Sequence, residues 1–317
     1  MIPCFHALCA TVCLAVTPHV TAVVPTGFLK AEAALAGVQE EPAWIGCWSS
    51  VGDEGESWWF EGERVGHVKD GVPAFYRAVH TDTGAWIERW ARARTLELSV
   101  DGDRLTVGDG EDARTFVRSE EVPLALRVPA YELPDDVELD EETRAVLTDD
   151  LRSRRAEDQR VRTNPSAQGE MSRVDEDNTE FLVAVIQEVG WIDATRFGAE
   201  TSEAAFLLVQ HSSDLRLLQT ALPWIQADVE AGLLRGQPYA LLFDRLRLNL
   251  GYPQRYGSQL GGTADGEYVL MPCEDFDRVD ELRAALGMGP LADYLKLFEE
   301  DGEPVRRAEE VLSPPGD

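Results

Sequence analysis

The chain reads as an α+β protein in two parts: a small antiparallel β-barrel or sandwich, then a mainly helical domain with a short β-hairpin. Three observations support this. Between residues 41 and 128, short runs of alternating apolar and polar residues are separated by turn formers. From about Glu141 the apolar residues recur at steps of three and four, the helical period. Between the two textures, Pro129 to Asp140 is rich in proline and acid, the composition of a linker. A length of 317 residues fits about two domains.

Taken in order, Ala7 to Val24 is mostly apolar or small and lacks acid and base. It resembles the core of a secretory signal, with small residues near Ala22 for cleavage. No Lys or Arg precedes it, so a mis-assigned start and a disordered tail is the other reading. Pro18 and His19 interrupt the run, and it is short for a membrane helix. Residues 1–24 are therefore expected to direct export to the periplasm or beyond. Without a working signal the protein is cytoplasmic, and the mature chain should carry no transmembrane span. Cys4, Cys9 and Cys13 fall inside this segment and leave Cys47 and Cys273. Two distant cysteines make neither a disulfide framework nor a zinc site, and leave either one bridge or two free thiols.

Residues 25–40 read as a linker or short helix. The strand runs are Ser57–Phe60, Ala74–Val79, Trp86–Trp90, Thr95–Val100, Arg104–Val107 and Thr115–Arg118. The clearest hairpin joins Leu96–Val100 to Arg104–Val107 through Asp101-Gly102-Asp103, because Asp-Gly readily takes positive φ. Gly46-Cys47-Trp48 resembles the Gly-x-Trp opening of lipocalin-like barrels. Trp44, Trp48, Trp58, Trp59, Trp86 and Trp90 either line a ligand cup or, as is commoner, fill the barrel core.

The helical domain is placed at 141–298, with an acidic, frayed tail over 299–317. Its first helix runs from Glu141 to about Arg162. A second starts at Asp177, capped by that carboxylate with Glu180 three residues on, and ends at Gly190. A third spans Ser202 to Leu218, and Leu222-Pro223 breaks it and opens another. Pro238 opens the last, which Gly251 stops; a strand over Leu241–Leu250 is the alternative. Glu267-Tyr268-Val269-Leu270 should pair with a partner strand across Gly261-Gly262.

Several polar residues share the apolar stripes of these helices. Asp158 falls close to Leu147 in angle, with Arg162 one turn on. His211 lies three after Leu208 and four before Leu215, and Asp244 three after Leu241 and four before Leu248. Buried charges cost several kcal/mol unless paired, so these groups should meet one another or face a cavity. A structural salt-bridge network satisfies the first condition and a reactive site the second. Gln254, Tyr256, Ser258 and Gln259, set around Gly257, add neutral donors and acceptors suited to a polar substrate.

Residues from about Leu147 to Leu295 resemble the bacterial domain-of-unknown-function family numbered sixty-six twenty-four. The elements that carry the likeness are Asp158-Gln159 with Arg162, Asp177-Asn178, Gly190-Trp191, Gln210-His211 and Asp244-Arg245. They continue through Gln254-x-Tyr256-Gly257-Ser258-Gln259 to Val279-Asp280, Arg283, Leu286-Gly287, Pro290-Leu291 and Tyr294. Ser258 stands where the family usually has Thr, and Ile192 where Pro often follows the Trp. The resemblance implies signature positions and no reaction, and it does not extend to the amino-terminal barrel.

A net charge of −29 opposes binding to phosphate backbones and anionic membranes. No Walker loop or Gly-x-Gly-x-x-Gly points to a nucleotide. One histidine in the helical domain gives little support for a metal, and no cofactor is expected. The inventory fits a hydrolase or transferase acting on a polar or anionic small molecule or peptide. His211 is then the acid–base and Asp244 its orienting carboxylate. Arg162 or Arg245 holds an anionic group. Asp158, Gln159, Gln210, Gln254, Tyr256 and Gln259 position the rest, and Ser258 is a candidate nucleophile without the usual elbow around it. The alternative is an exported ligand- or protein-binding module without catalysis.

Overall fold

The computed structural model describes residues 42–50, 55–108, 112–135, 137–263, 266–299 and 304–312. The segment read as a secretory signal lies outside them, as do residues 313–317. The described chain is α+β, with a closed eight-stranded antiparallel barrel and a mainly helical region with a small three-stranded sheet. It divides into two compact units, 129–246 with 281–289, and the barrel residues to 128 with 247–280 and 290 onward. Among the described residues no helix is long and apolar enough to cross a membrane.

The barrel strands are β1 (Gly46–Ser50), β2 (Ser57–Glu61), β3 (Arg64–Lys69), β4 (Val72–Thr81), β5 (Gly84–Arg89), β6 (Arg92–Asp101), β7 (Arg104–Val107) and β8 (Arg114–Ser119). Each pairs with the next, and β1 pairs with β8 to close the ring. The closed barrel is consistent with the lipocalin-like expectation. Residues facing one another across the ladders share a side of the sheet. One side therefore collects Trp48, Trp58, Phe60, Val65, Ile87, Leu96, Leu98, Leu105, Val107 and Phe116, which form the barrel core. Trp48 is fully buried, and its indole N–H donates to the Trp44 carbonyl at 2.8 Å. Tryptophans at 44, 48 and 58 thus fill the interior.

Two strands were not expected, β1 and β3. Gly66 interrupts the β3 pattern, but a side chain there would crowd Leu126, Phe75 and Trp59, so glycine serves close packing. The run ending at Trp90 is shorter than expected, because Trp90 and Ala91 both take positive φ and turn the chain into β6. Cys47 and Cys273 are free thiols.

The helical unit is built on α1 (Glu141–Thr163), α2 (Met171–Val189), α3 (Ala199–His211), α4 (Leu215–Glu230) and α5 (Gly236–Asn249), the last reaching into the second unit. Asp140 caps α1 by accepting from Thr143 N at 2.7 Å. Helix α2 starts six residues before the expected Asp177, after a 3-10 turn opened by Pro165. Asp177 and Glu180 are therefore interior to the helix, and Asp177 pairs with Arg154 at 2.7 Å instead of capping. Gly190, at φ 79°, ends the helix as expected. The break expected at Leu222-Pro223 falls earlier. Ser212–Asp214 separates α3 from α4, and the Asp214 carboxylate accepts from Arg216 N and Leu217 N. Pro223 lies inside α4; its fixed φ suits a helix, and what it lacks is one donor. Residues 241–249 are helical, not a strand.

In the second unit the expected hairpin forms from β9 (Leu260–Gly262) and β10 (Tyr268–Leu270). The tail is not frayed throughout. Strand β11 (Arg306–Arg307) pairs in parallel with β10, and Ala308 beyond it is fully buried.

Candidate functional site

The site is built where α1, α2 and α3 pack together. Asp158 and Arg162 lie one turn apart on α1 and are both buried. The Arg162 guanidinium reaches the Asp158 carboxylate at 2.9 Å through one terminal nitrogen and Asp175 Oδ1 at 2.6 Å through the other. His211, at the last position of α3, places Nδ1 2.8 Å from Asp158 Oδ1. The second Asp158 oxygen accepts from Gln159 Nε2 at 2.8 Å. A carboxylate cannot donate, so His211 Nδ1 carries the hydrogen and Nε2 is the basic nitrogen of the neutral ring.

Asp175 and Gln159 are partly exposed, and the other three groups are buried. Asp158 and the Arg162 side chain are fully buried, and His211 is 7% exposed. Burial holds the His211 pKa below its ordinary value, against the upward pull of Asp158 and with a further push down from Arg162 and Arg245. Burial also raises the Asp175 carboxyl, opposed by Arg162. Burial therefore favours the neutral ring.

A histidine depressed in the folded state binds protons more readily when unfolded. Its contribution is present above the ordinary histidine range and is lost as pH falls through it. Asp175 runs the other way, its contribution fading as pH rises through the carboxylate range. Urea unfolding of the wild type and of His211→Gln, compared from about pH 7 to about pH 5, should show the wild type losing the more stability on acidification.

Asp158, Asp175 and His211 each offer one ligand atom, all within 4.8 Å of one another, a geometry that could hold a metal ion. The Arg162 guanidinium is already ion-paired to both carboxylates. A cation would have to displace it, so the donor set fits a resident arginine better than a metal.

The structure thus brings together four of the anticipated residues, Asp158, Gln159, Arg162 and His211. The carboxylate on His211 Nδ1 is Asp158 rather than the anticipated Asp244, which is fully buried on α5. Arg245 is half-buried beside it in sequence. Gln210 is 2% exposed, and among the described residues neither its amide nitrogen nor its oxygen has a hydrogen-bond partner. Asp175 was missed. It lies one turn before Asn178 and two before Leu182 on the buried stripe of α2, a signal hidden once the helix was started at Asp177.

The glutamine–tyrosine loop belongs to the second unit. The Gln254 amide donates to the carbonyls of Gln259 at 3.0 Å and Met271 at 2.8 Å, and accepts from Gln259 N at 2.8 Å. Its side chain therefore closes the loop. The Ser258 hydroxyl lies 3.2 Å from Gln259 Nε2, and the Ser258 carbonyl accepts from Tyr294 at 2.9 Å. Tyr256 is buried, and Gly257 takes positive φ.

Tyr131 and Val137, in the segment 129–140 read as linker, are tied to the helical unit. The Tyr131 hydroxyl donates to Asp214 at 2.6 Å, the Arg216 guanidinium stacks on its ring, and Arg196 donates to the Val137 carbonyl. Burial and the Asp214 charge push the Tyr131 phenol up to about 12.

Comparison with known proteins gives one finding. A family model described as a family of unknown function (DUF6624) matches residues 137–304, just over half the chain. No curated protein matches the sequence.

Proposed function

We propose, from the premise that the chain belongs to the DUF6624 family of unknown function, that its helical region is an acid–base catalyst acting on a polar or anionic small molecule or peptide. The reaction class is hydrolysis or group transfer. The observation that supports this is the His211–Asp158 hydrogen bond at 2.8 Å, with Asp158 itself fixed by Arg162 and Gln159. Such a chain of contacts sets the imidazole's tautomer and orientation, as a general base requires.

In this reading Nε2 takes a proton from an attacking water or hydroxyl and returns it to the leaving group, so the ring ends each cycle neutral. Asp158 stabilises the transient imidazolium. Arg162 is a positioning residue, since its guanidinium is committed to two carboxylates. Arg245 takes over the anion-holding part, and Gln210 supplies an amide that a substrate would satisfy.

The test uses the full chain and a panel of p-nitrophenyl esters, p-nitrophenyl phosphate and peptide p-nitroanilides. Turnover of one class is expected, and His211→Gln should remove it by about a hundredfold or more while the melting temperature stays near wild type. If no class is turned over and His211→Gln costs several kcal/mol, the buried network is structural or serves binding alone.

A further inference from the structure

The barrel has a feature independent of the helical site. At one end lies a cavity of about 360 Å³, bounded by Trp58, Leu96, Val107 and Phe116 on its apolar side. That volume is in the range of small-molecule pockets. The register shows which polar groups face inward. Arg94 pairs with Ile87, and Arg114 with Val107, both of them core residues. At this cavity two guanidinium groups therefore take inward register positions, where a closed barrel ordinarily carries hydrocarbon.

Arg114 is ion-paired with the buried Glu56, whose other oxygen lies 2.9 Å from His67 Nε2. Arg94 is exposed and makes no hydrogen bond or ion pair among the described residues. The Trp58 indole is 4% exposed, and its N–H has no hydrogen-bond partner among the described residues. The cavity thus carries a solvent-facing arginine with no partner among the described residues and, in Trp58, a buried donor left unsatisfied, and it is the second that is unusual. The two remaining carboxylates on the lining, Glu97 and Asp112, are exposed. Glu97 also occupies the outward register, opposite Gly84.

We infer that this end of the barrel binds a small organic carboxylate with a short apolar body. Its carboxylate accepts from Arg94 and from the Trp58 N–H, and its body lies against Leu96, Val107 and Phe116. The inward groups not already engaged are donors, which selects an anionic acceptor. The apolar wall selects against a bare inorganic ion. The deeper barrel is filled by Trp48, Phe60, Leu98 and Leu105, which limits the ligand to a shallow one.

Isothermal titration calorimetry on the full chain tests this with octanoate, phenylacetate, octanol and inorganic phosphate. Saturable binding of a carboxylate, one per chain, is expected, with octanol and phosphate about tenfold weaker or more. Arg94→Gln should weaken carboxylate binding about tenfold without lowering the melting temperature, and Trp58→Phe should weaken it less. His211→Gln should bind as wild type, which separates this site from the catalytic reading. The inference is overturned if neither carboxylate binds saturably up to about 10 mM. Arg94→Gln binding at wild-type strength, or phosphate or octanol matching the carboxylates, overturns it too.

Discussion

Arg162→Met should cost the helical unit about 3–5 kcal/mol, among the larger effects a single substitution can have. The guanidinium is the shared counter-charge of Asp158 and Asp175, and Asp158 is fully buried. Methionine matches much of the arginine's volume, so the loss is electrostatic and not a cavity. Two carboxylates are then left facing each other, with His211 and Gln159 as the remaining donors to Asp158. The expected readout is an earlier loss of helical circular dichroism in urea. Adding Asp158→Asn to Arg162→Met should recover much of the loss, because one of the uncompensated charges is gone. A loss below about 1 kcal/mol in the single variant would show that water or a solvent cation takes the arginine's place.

A comparably large effect is expected in the barrel from a single methyl group. A Cβ on Gly84 would lie 1.9 Å from the Leu96 carbonyl oxygen, a backbone atom that cannot swing aside. That oxygen belongs to the strand paired with β5, so relief must come from pulling the β5–β6 ladder apart. Gly84→Ala should therefore destabilise by about 3 kcal/mol or more, seen as an earlier loss of the near-ultraviolet tryptophan signal. Gly169→Ala is the control: nothing lies within 4 Å of its Cβ, and its φ is not in the left-handed region. It should change stability by no more than about 0.5 kcal/mol. Equal behaviour of the two variants would refute the close approach.

Much of this architecture is legible in the residues themselves. The Asp101-Gly102 hairpin, the glycine stop at Gly190 and the change to helical spacing after Glu141 each follow from local chemistry. So does the inward placement of Asp158, Arg162 and His211, since helical spacing fixes which side of a helix a residue occupies. What spacing does not fix is which inward groups meet. Asp158 and Asp244 are equally plausible partners for His211 by periodicity, and the packing of α1 against α3 is what brings Asp158 to Nδ1. Asp175 was lost for a different reason. Asp177 has a good capping side chain, but the 3-10 turn from Pro165 had already started the helix. Pro223 misled likewise, because a proline's missing donor can be tolerated where the surrounding helix is well packed. Amides suit both recognition and loop closure, so residue type alone does not separate the two for Gln254, whose side chain makes three backbone bonds within the loop.

The ladder joining β1 to β8 bears on how the protein is made. Neither margin of the sheet is sealed until Arg114–Ser119 has left the ribosome and met the first strand. A nascent chain that stalls or is cut before that point exposes two raw backbone edges, each able to recruit a neighbouring chain. Truncations ending just short of Arg114 should therefore accumulate as aggregates, where chains extending past Ser119 stay in solution.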